Sequence, residues 1–236
     1  GLFHKAISQS GYTTTYSFEE AYNPNKDSRT FKASSSNIFK NLLNKTSYPK
    51  PEEELSLEEK RKILKAVDAN QLFMLYKEGG IGSIIPLITE DGITMPFEGM
   101  KSALGNPEHL NIVPTIAGSN RDEVKLWLAA AEYFVELDTS LIGNILGFPK
   151  PVLKNKQAFS AFNYFRATAW QLRGVDEPLS AMYGAGNKQI YAYRFDWDDH
   201  RRLLFADFAE LIGAFHASEI PLISGNDDIV GDFDFI

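Results

Sequence analysis

The sequence predicts an α/β fold in which helices flank a mostly parallel sheet, because strand and helix patterns alternate along its second half. Ile112–Gly118 is a short apolar run rich in β-branched residues, which is typical of a strand buried on both faces. A helical spacing of apolar and aromatic residues runs from about Lys156 to Tyr183, and Gln189–Phe195 is predicted to form another strand. Strand, helices and strand in this order favour parallel pairing.

The first third of the chain is predicted to combine a polar surface excursion with two helices. The excursion runs from Thr13 to Pro51, and four apolar residues within it keep a helical spacing: Ile38, Phe39, Leu42 and Leu43. Ser56 and Glu59 match a capping box that starts the second helix. Further on, Pro86–Gly92 is predicted to be a short strand that enters an Asp-Gly turn.

Composition and charge exclude several classes of function. The 236 residues carry 24 basic and 31 acidic side chains, and the net charge of -7 repels nucleic acid and anionic membranes. The chain has no cysteine, which excludes disulfides and thiolate metal sites. No apolar run in the sequence approaches the roughly 20 residues that a membrane-spanning helix needs. We therefore expect neither a nucleic-acid partner nor a membrane span.

Glu123 and His216 are the candidate catalytic residues. Glu123 follows the carboxyl end of the predicted strand Ile112–Gly118, the edge at which open α/β sheets gather reactive groups. A neutral histidine is a competent base near pH 7, and a neighbouring carboxylate stabilises its charged form. On spacing alone, however, Glu123 could be an acidic residue in the first turn of a helix, where the helix dipole stabilises its charge. His216 could likewise be a buried histidine with a structural role.

Four segments resemble type-B carboxylesterases, the cholinesterase-like group of α/β hydrolases. Gly1–Gly11 is similar to the segment after that family's nucleophile, and Gly118–Glu123 to its acid motif. Tyr193–Phe195 resembles a late strand of the family, and Gly213–His216 its histidine motif. The resemblance covers nearly the whole chain. It implies that residues 1–236 form a single partial α/β-hydrolase domain, the C-terminal part of the fold, truncated at both ends.

The resemblance also implies a Ser-Glu-His triad that cleaves a small carboxylic ester through an acyl-serine intermediate, without metal or organic cofactor. Glu123 would orient His216, and His216 would take the proton of the serine. Ser10 matches a serine that supports the acid in some relatives, although a plain turn serine is an equal alternative. Ile84 and Ile85 fall where the family builds its acyl pocket, although ordinary core packing explains them equally well.

The nucleophile itself is not expected among these residues. A hydrolase serine of this kind needs the tight G-x-S-x-G turn, and no serine of the chain has glycine two residues before and two residues after it. The resemblance places the serine and the glycine-rich oxyanion segment upstream of Gly1, so the chain alone is expected to be inactive. The alternative is a non-catalytic, cholinesterase-like adhesion domain that binds partner proteins. The presence of both Glu123 and His216 argues against that alternative.

Overall fold

The computed structural model describes residues 2–77, 85–138, 150–200, 202–203 and 206–225. The strands are β1 (Ala6–Gln9), β2 (Tyr16–Ser17), β3 (Thr89–Glu90), β4 (Thr115–Asn120), β5 (Val135–Asp138), β6 (Lys150–Leu153), β7 (Ile190–Phe195), β8 (Arg202–Leu203) and β9 (Ala206–Asp207). The α-helices are α1 (Phe18–Tyr22), α2 (Ser35–Lys45), α3 (Leu57–Ala66), α4 (Ala69–Lys77), α5 (Gly99–Leu104), α6 (Lys125–Ala129), α7 (Lys156–Gln171), α8 (Glu177–Gly184), α9 (Phe208–Leu211) and α10 (Ile220–Ser224). A π-helical turn, Leu172–Asp176, joins α7 to α8.

The chain divides into two compact units. Thr14–Ala103 forms the helical unit, and Gly1–Thr13 with Leu104–Ile236 forms the sheet unit. The core of the helical unit consists of buried residues from α2, α4 and the segment before α3: Ile38, Phe39, Leu42, Leu43, Leu55 and Leu75. The stretch predicted to be a surface excursion therefore supplies most of the core of the helical unit, because the four apolar residues of α2 are all buried. The capping box of Ser56 and Glu59 is confirmed at the start of α3.

The sheet unit is built on a three-stranded parallel sheet in the order β1-β4-β7. The two predicted strands are confirmed as β4 and β7, and β4 begins at Thr115 rather than at Ile112. The long helical pattern is confirmed as α7, the π-helical turn and α8. Val175 and Leu179 pack on Ala117 of β4, so this helical run covers one face of the sheet.

The opposite face of the sheet carries an exposed apolar row. Ile7 of β1, Ile116 of β4 and Tyr191 of β7 stand in register across the three strands. Their side chains keep 64%, 39% and 61% of their surface exposed. The prediction that the strand containing Ile116 is buried on both faces is therefore wrong at this position, because its neighbours on that face are themselves uncovered.

The described helices were compared with the requirements for a membrane span. In the ranges that the structure describes, none of them combines the length and the apolar composition needed to cross a bilayer.

Candidate active site

The candidate site lies where β4 ends, and a glycine of that strand sets its shape. Gly118 is opposite Tyr193 in the register of β4 and β7. A Cβ atom at Gly118 would come within 2.2 Å of the tyrosine ring, so only glycine lets this ring cover the strand. Burial, and then the charge of Glu219, raises the pKa of Tyr193 to about 12, so the phenol stays neutral under the sheet.

Glu123 is fully buried, and its carboxylate accepts three hydrogen bonds. Its Oε1 accepts from the Ser10 hydroxyl at 2.5 Å and from the backbone N–H of Asn120 at 2.7 Å. Its Oε2 lies 2.7 Å from Nδ1 of His216. A buried carboxylate without such partners would be strongly destabilising, so these donors are what allow a charge at this position. The structure thus brings together Ser10, Glu123 and His216, which the sequence analysis named as candidates.

His216 presents one nitrogen to the acid and leaves the other available. A carboxylate oxygen can only accept, so Nδ1 carries the hydrogen and Nε2 of the neutral ring does not. No other residue in the described part of the chain forms a hydrogen bond with this ring, and the side chain is 32% exposed. The hydrogen bond that Nδ1 donates to Glu123 raises the pKa of His216 above its usual 6.5, against the opposing effect of burial.

Two indole rings, which are stacked on each other, lie next to the imidazole. The ring centroids of Trp127 and Trp170 lie 5.4 Å and 5.0 Å from that of His216. Both centroid distances are within the roughly 6 Å at which an aromatic ring interacts with a cation, so the indoles are close enough to interact with a protonated imidazole.

Ser10 directly follows strand β1 and connects this strand to the candidate site through its hydrogen bonds. Its backbone N–H continues the parallel ladder by donating to the Gly118 carbonyl at 2.8 Å. Its φ of 50° is left-handed, which is unusual for a residue other than glycine. The turned backbone directs the hydroxyl to Glu123, while the Ser10 carbonyl accepts from the Trp170 indole N–H at 3.1 Å. One residue therefore contacts both the acid and a wall of the histidine site.

Asp122 is adjacent to Glu123 but holds the loop that carries His216. Its backbone N–H donates to the Ala214 carbonyl at 3.0 Å, and its Oδ2 accepts from the Ala214 N–H at 3.1 Å. Gly213 adopts a φ of 51°, and a Cβ there would lie 2.3 Å from Asp122 Oδ2. The two neighbouring carboxylates therefore have different contacts: Asp122 with the loop backbone, and Glu123 with the imidazole.

Sequence reasoning gave no role to Asn120 or Glu219, which tie the same loop to the end of β4. The Asn120 side-chain amide donates to the Phe215 carbonyl at 2.7 Å and to Glu219 Oε2 at 2.6 Å. Glu219 is also buried, and Gln9 Nε2 donates to its other oxygen at 3.3 Å. Asn120 stands inside the Gly118–Glu123 segment that was singled out for its acid, whereas Glu219 lies three residues beyond His216, outside the segments named above. No local pattern in the sequence pairs these two residues.

His200 supports the loop from its other side. It is buried against Trp197, and its Nε2 donates to the Gly213 carbonyl at 2.7 Å. This is a structural contact, since a carbonyl can only accept and the ring is enclosed. Within the described ranges, no group of three or more histidine, aspartate or glutamate side chains could hold a metal ion.

Ile84 and Ile85 are the two residues predicted for an acyl pocket. Ile84 lies outside the described residues. Ile85 belongs to the helical unit and is exposed. A role for either residue in an acyl pocket stays a prediction.

Comparison with known proteins assigns the fold. No protein-family model matches the chain, and no curated protein matches it significantly. Among solved structures it is similar to the carboxylesterase EST55 of Geobacillus stearothermophilus, with a TM-score of 0.51 and 19% sequence identity over 94% of this chain. The fold is a partial α/β-hydrolase fold. The chain spans 42% of the length of that carboxylesterase, and at this identity the likeness concerns the fold alone.

Proposed function

We propose that Glu123 and His216 are the acid and the base of a carboxylic ester hydrolase of the type-B, cholinesterase-like kind. The observation that carries the proposal is the fully buried Glu123 carboxylate, which holds Nδ1 of a partly exposed His216 at 2.7 Å. The nucleophile would be a serine outside these 236 residues, because no serine here has the G-x-S-x-G spacing. Ser10 supports the acid through its hydroxyl.

In the proposed reaction His216 moves one proton in each half of the cycle. Its Nε2 takes the proton of the serine while the serine oxygen attacks the ester carbonyl, and the imidazolium then protonates the departing alcohol. Water attacks the acyl-serine in the same way, with His216 first as base and then as acid. Glu123 keeps the Nδ1–H tautomer and stabilises the imidazolium formed in between, and it does not itself take the proton.

The raised pKa of His216 has a direct kinetic consequence. The reaction needs the neutral imidazole, so the rate should rise with pH through the pKa of His216 in the folded protein. Because the bond to Glu123 raises this pKa, the rising limb should lie above 6.5. The gain is a stronger base, since a higher pKa favours proton transfer from the serine.

The non-catalytic adhesion domain remains the competing hypothesis. Such a domain needs the fold and a binding surface, but it has no use for an imidazole with a free Nε2 beside a buried carboxylate. The Glu123 carboxylate is fully buried, and burying a carboxylate is costly, which favours a chemical reason for its place beside His216.

The deciding experiment uses the full-length protein that contains this chain. We expect hydrolysis of p-nitrophenyl acetate, and covalent labelling of one serine by a fluorophosphonate, both abolished by His216→Ala. His4→Ala, which alters an exposed histidine, is the matched control and should leave both unchanged. Labelling and turnover that survive His216→Ala would overturn the proposal. Absence of any labelled serine in a folded full-length protein would favour the adhesion domain.

A further inference from the structure

The helical unit contains a cavity that the proposed hydrolase chemistry does not use. Its volume is about 860 Å³, within the range of about 300–1,000 Å³ that is typical of small-molecule sites. Residues of α1, α2, α3 and α4 line it. Its apolar lining includes Ile38, Phe39, Leu57, Leu64 and Leu72.

The cavity has a buried apolar floor and an open apolar rim. Ile38 and Phe39 form the floor and belong to the core of the helical unit. Leu57 and Leu64 of α3 line the rim and are exposed. A ligand with a hydrocarbon chain would remove this leucine surface from water without displacing the core.

The one buried carboxylate of the cavity is already satisfied. Glu52 accepts hydrogen bonds from Lys60 Nζ at 3.1 Å, from the Ser36 hydroxyl at 2.8 Å and from the Tyr22 hydroxyl at 3.2 Å. Lys60 is likewise neutralised by this contact. Neither group is therefore free to recognise a charged ligand.

Two other cations at the rim form no ion pair within the described residues, and the acidic residue beside them in the lining, Glu58, is already paired with Lys62. Arg61 and Lys65 both line the cavity, and their spacing of four residues places them on one side of α3. In the part of the chain that the structure describes, neither forms an ion pair, whereas Lys62 of the same helix pairs with Glu58 at 3.1 Å. An apolar cavity with two cations at its rim that form no ion pair within the described residues complements an amphipathic anion.

We propose that this cavity binds an unbranched aliphatic monocarboxylate. The hydrocarbon chain lies along Ile38, Phe39 and Leu64, and the carboxylate pairs with Arg61 and Lys65. This site is distinct from Glu123 and His216, and it does not depend on the proposed hydrolase function.

The test compares ligands that differ in one feature at a time. Calorimetric titration of the full-length protein with hexanoate, octanoate and decanoate should give saturable binding that tightens about two- to fourfold for each added methylene. Decanoate should bind more tightly than decanol by roughly two- to fivefold for each cation, and added salt should reduce this preference. Equal affinity for decanoate and decanol, or no saturable binding, would overturn the proposal.

Variants assign the binding to this cavity. Arg61→Gln and Lys65→Gln should each lower the affinity for decanoate and leave that for decanol unchanged, while Leu64→Ser should weaken both. Lys26→Gln is the matched control, because it removes an exposed cation of the same unit that does not line the cavity. An equal loss in Lys26→Gln would contradict the proposal. Analytical ultracentrifugation gives a second check. A dimer that Leu64→Ser dissociates and decanoate does not would show that a second copy of the chain covers this face, which would also contradict the proposal.

Discussion

Replacing Glu123 by glutamine should change the tautomer of His216 while keeping the fold. Glutamine has nearly the same shape as glutamate, but only one of its two terminal atoms accepts hydrogen bonds. The Asn120 backbone N–H can only donate, so it requires the amide oxygen at the position of Oε1. The amide NH₂ then faces Nδ1 of His216, where Oε2 lay at 2.7 Å. Two donors cannot pair, so the imidazole must move its hydrogen from Nδ1 to Nε2.

The size of this effect follows from the contacts of the acid. The bond to His216 changes from charge-assisted to neutral, which costs about 1–2 kcal/mol of unfolding free energy, while the bonds from Ser10 and Asn120 persist. Nε2 now carries a hydrogen and cannot act as a base, so under the proposed function the catalytic rate of the full-length protein should fall by roughly four orders of magnitude. The pKa of His216 should also fall, because burial remains and the hydrogen bond that His216 donates to Glu123 is lost.

The measurement is ¹⁵N NMR of the imidazole at a pH where the ring is neutral. The protein should show hydrogen on Nδ1 of His216, and Glu123→Gln should show it on Nε2. Glu136→Gln, at an exposed glutamate, is the control and should resemble the unchanged protein. If Glu123→Gln kept the hydrogen on Nδ1 and a near-normal rate, another acceptor would serve His216 and the reasoning would be refuted.

Three further perturbations test the surroundings of the acid. Ser10→Ala should be less stable than Ser10→Gly by about 1 kcal/mol in urea unfolding, since both lose the hydroxyl but only alanine is strained at a φ of 50°; equal stability would argue against that strain. Gly213→Ala should destabilise the protein by about 1–3 kcal/mol, because its Cβ would strike the Asp122 carboxylate. Gly184→Ala, where a Cβ meets nothing within 4 Å, is its control and should be neutral or stabilising. Since its pKa is raised in the fold, His216 should contribute stability that is fully present below pH 6.5 and is lost as pH rises through the folded pKa. Denaturant titrations of the protein and of His216→Gln should therefore converge as the pH rises, and a constant difference would contradict this.

Local patterns were enough to predict much of the fold. The capping box at Ser56 and the β-branched run before Gly118 depend on neighbours within a few residues, and both match the structure. The π-helical turn was not predicted, and it contacts a segment that is distant in sequence. A Cβ at Gly174 would lie 2.2 Å from the Gly11 carbonyl, so the helix meets the backbone that follows β1 at this point. The exposure of Ile116 likewise depends on what covers the sheet, which a strand pattern does not encode.

In the candidate site, too, some residues could be predicted from local sequence and others could not. Glu123 and His216 could be named because each stands in a recognisable segment with a known order along the chain. Asn120 and Glu219 could not, because their hydrogen bond joins residues 99 positions apart and neither residue type has a periodic signature. The separate contacts of Asp122 and Glu123 were foreseen only in part, since the sequence favoured Glu123 as the acid but gave Asp122 no partner.

The paired indoles around His216 give the site an optical reporter of its own. Trp127 and Trp170 are stacked at 6.3 Å, and the imidazole lies near both rings. A change in the charge of the imidazole alters the field at both fluorophores, so their emission should follow the titration of His216. The protonation state of His216 can thus be followed by light, without a substrate.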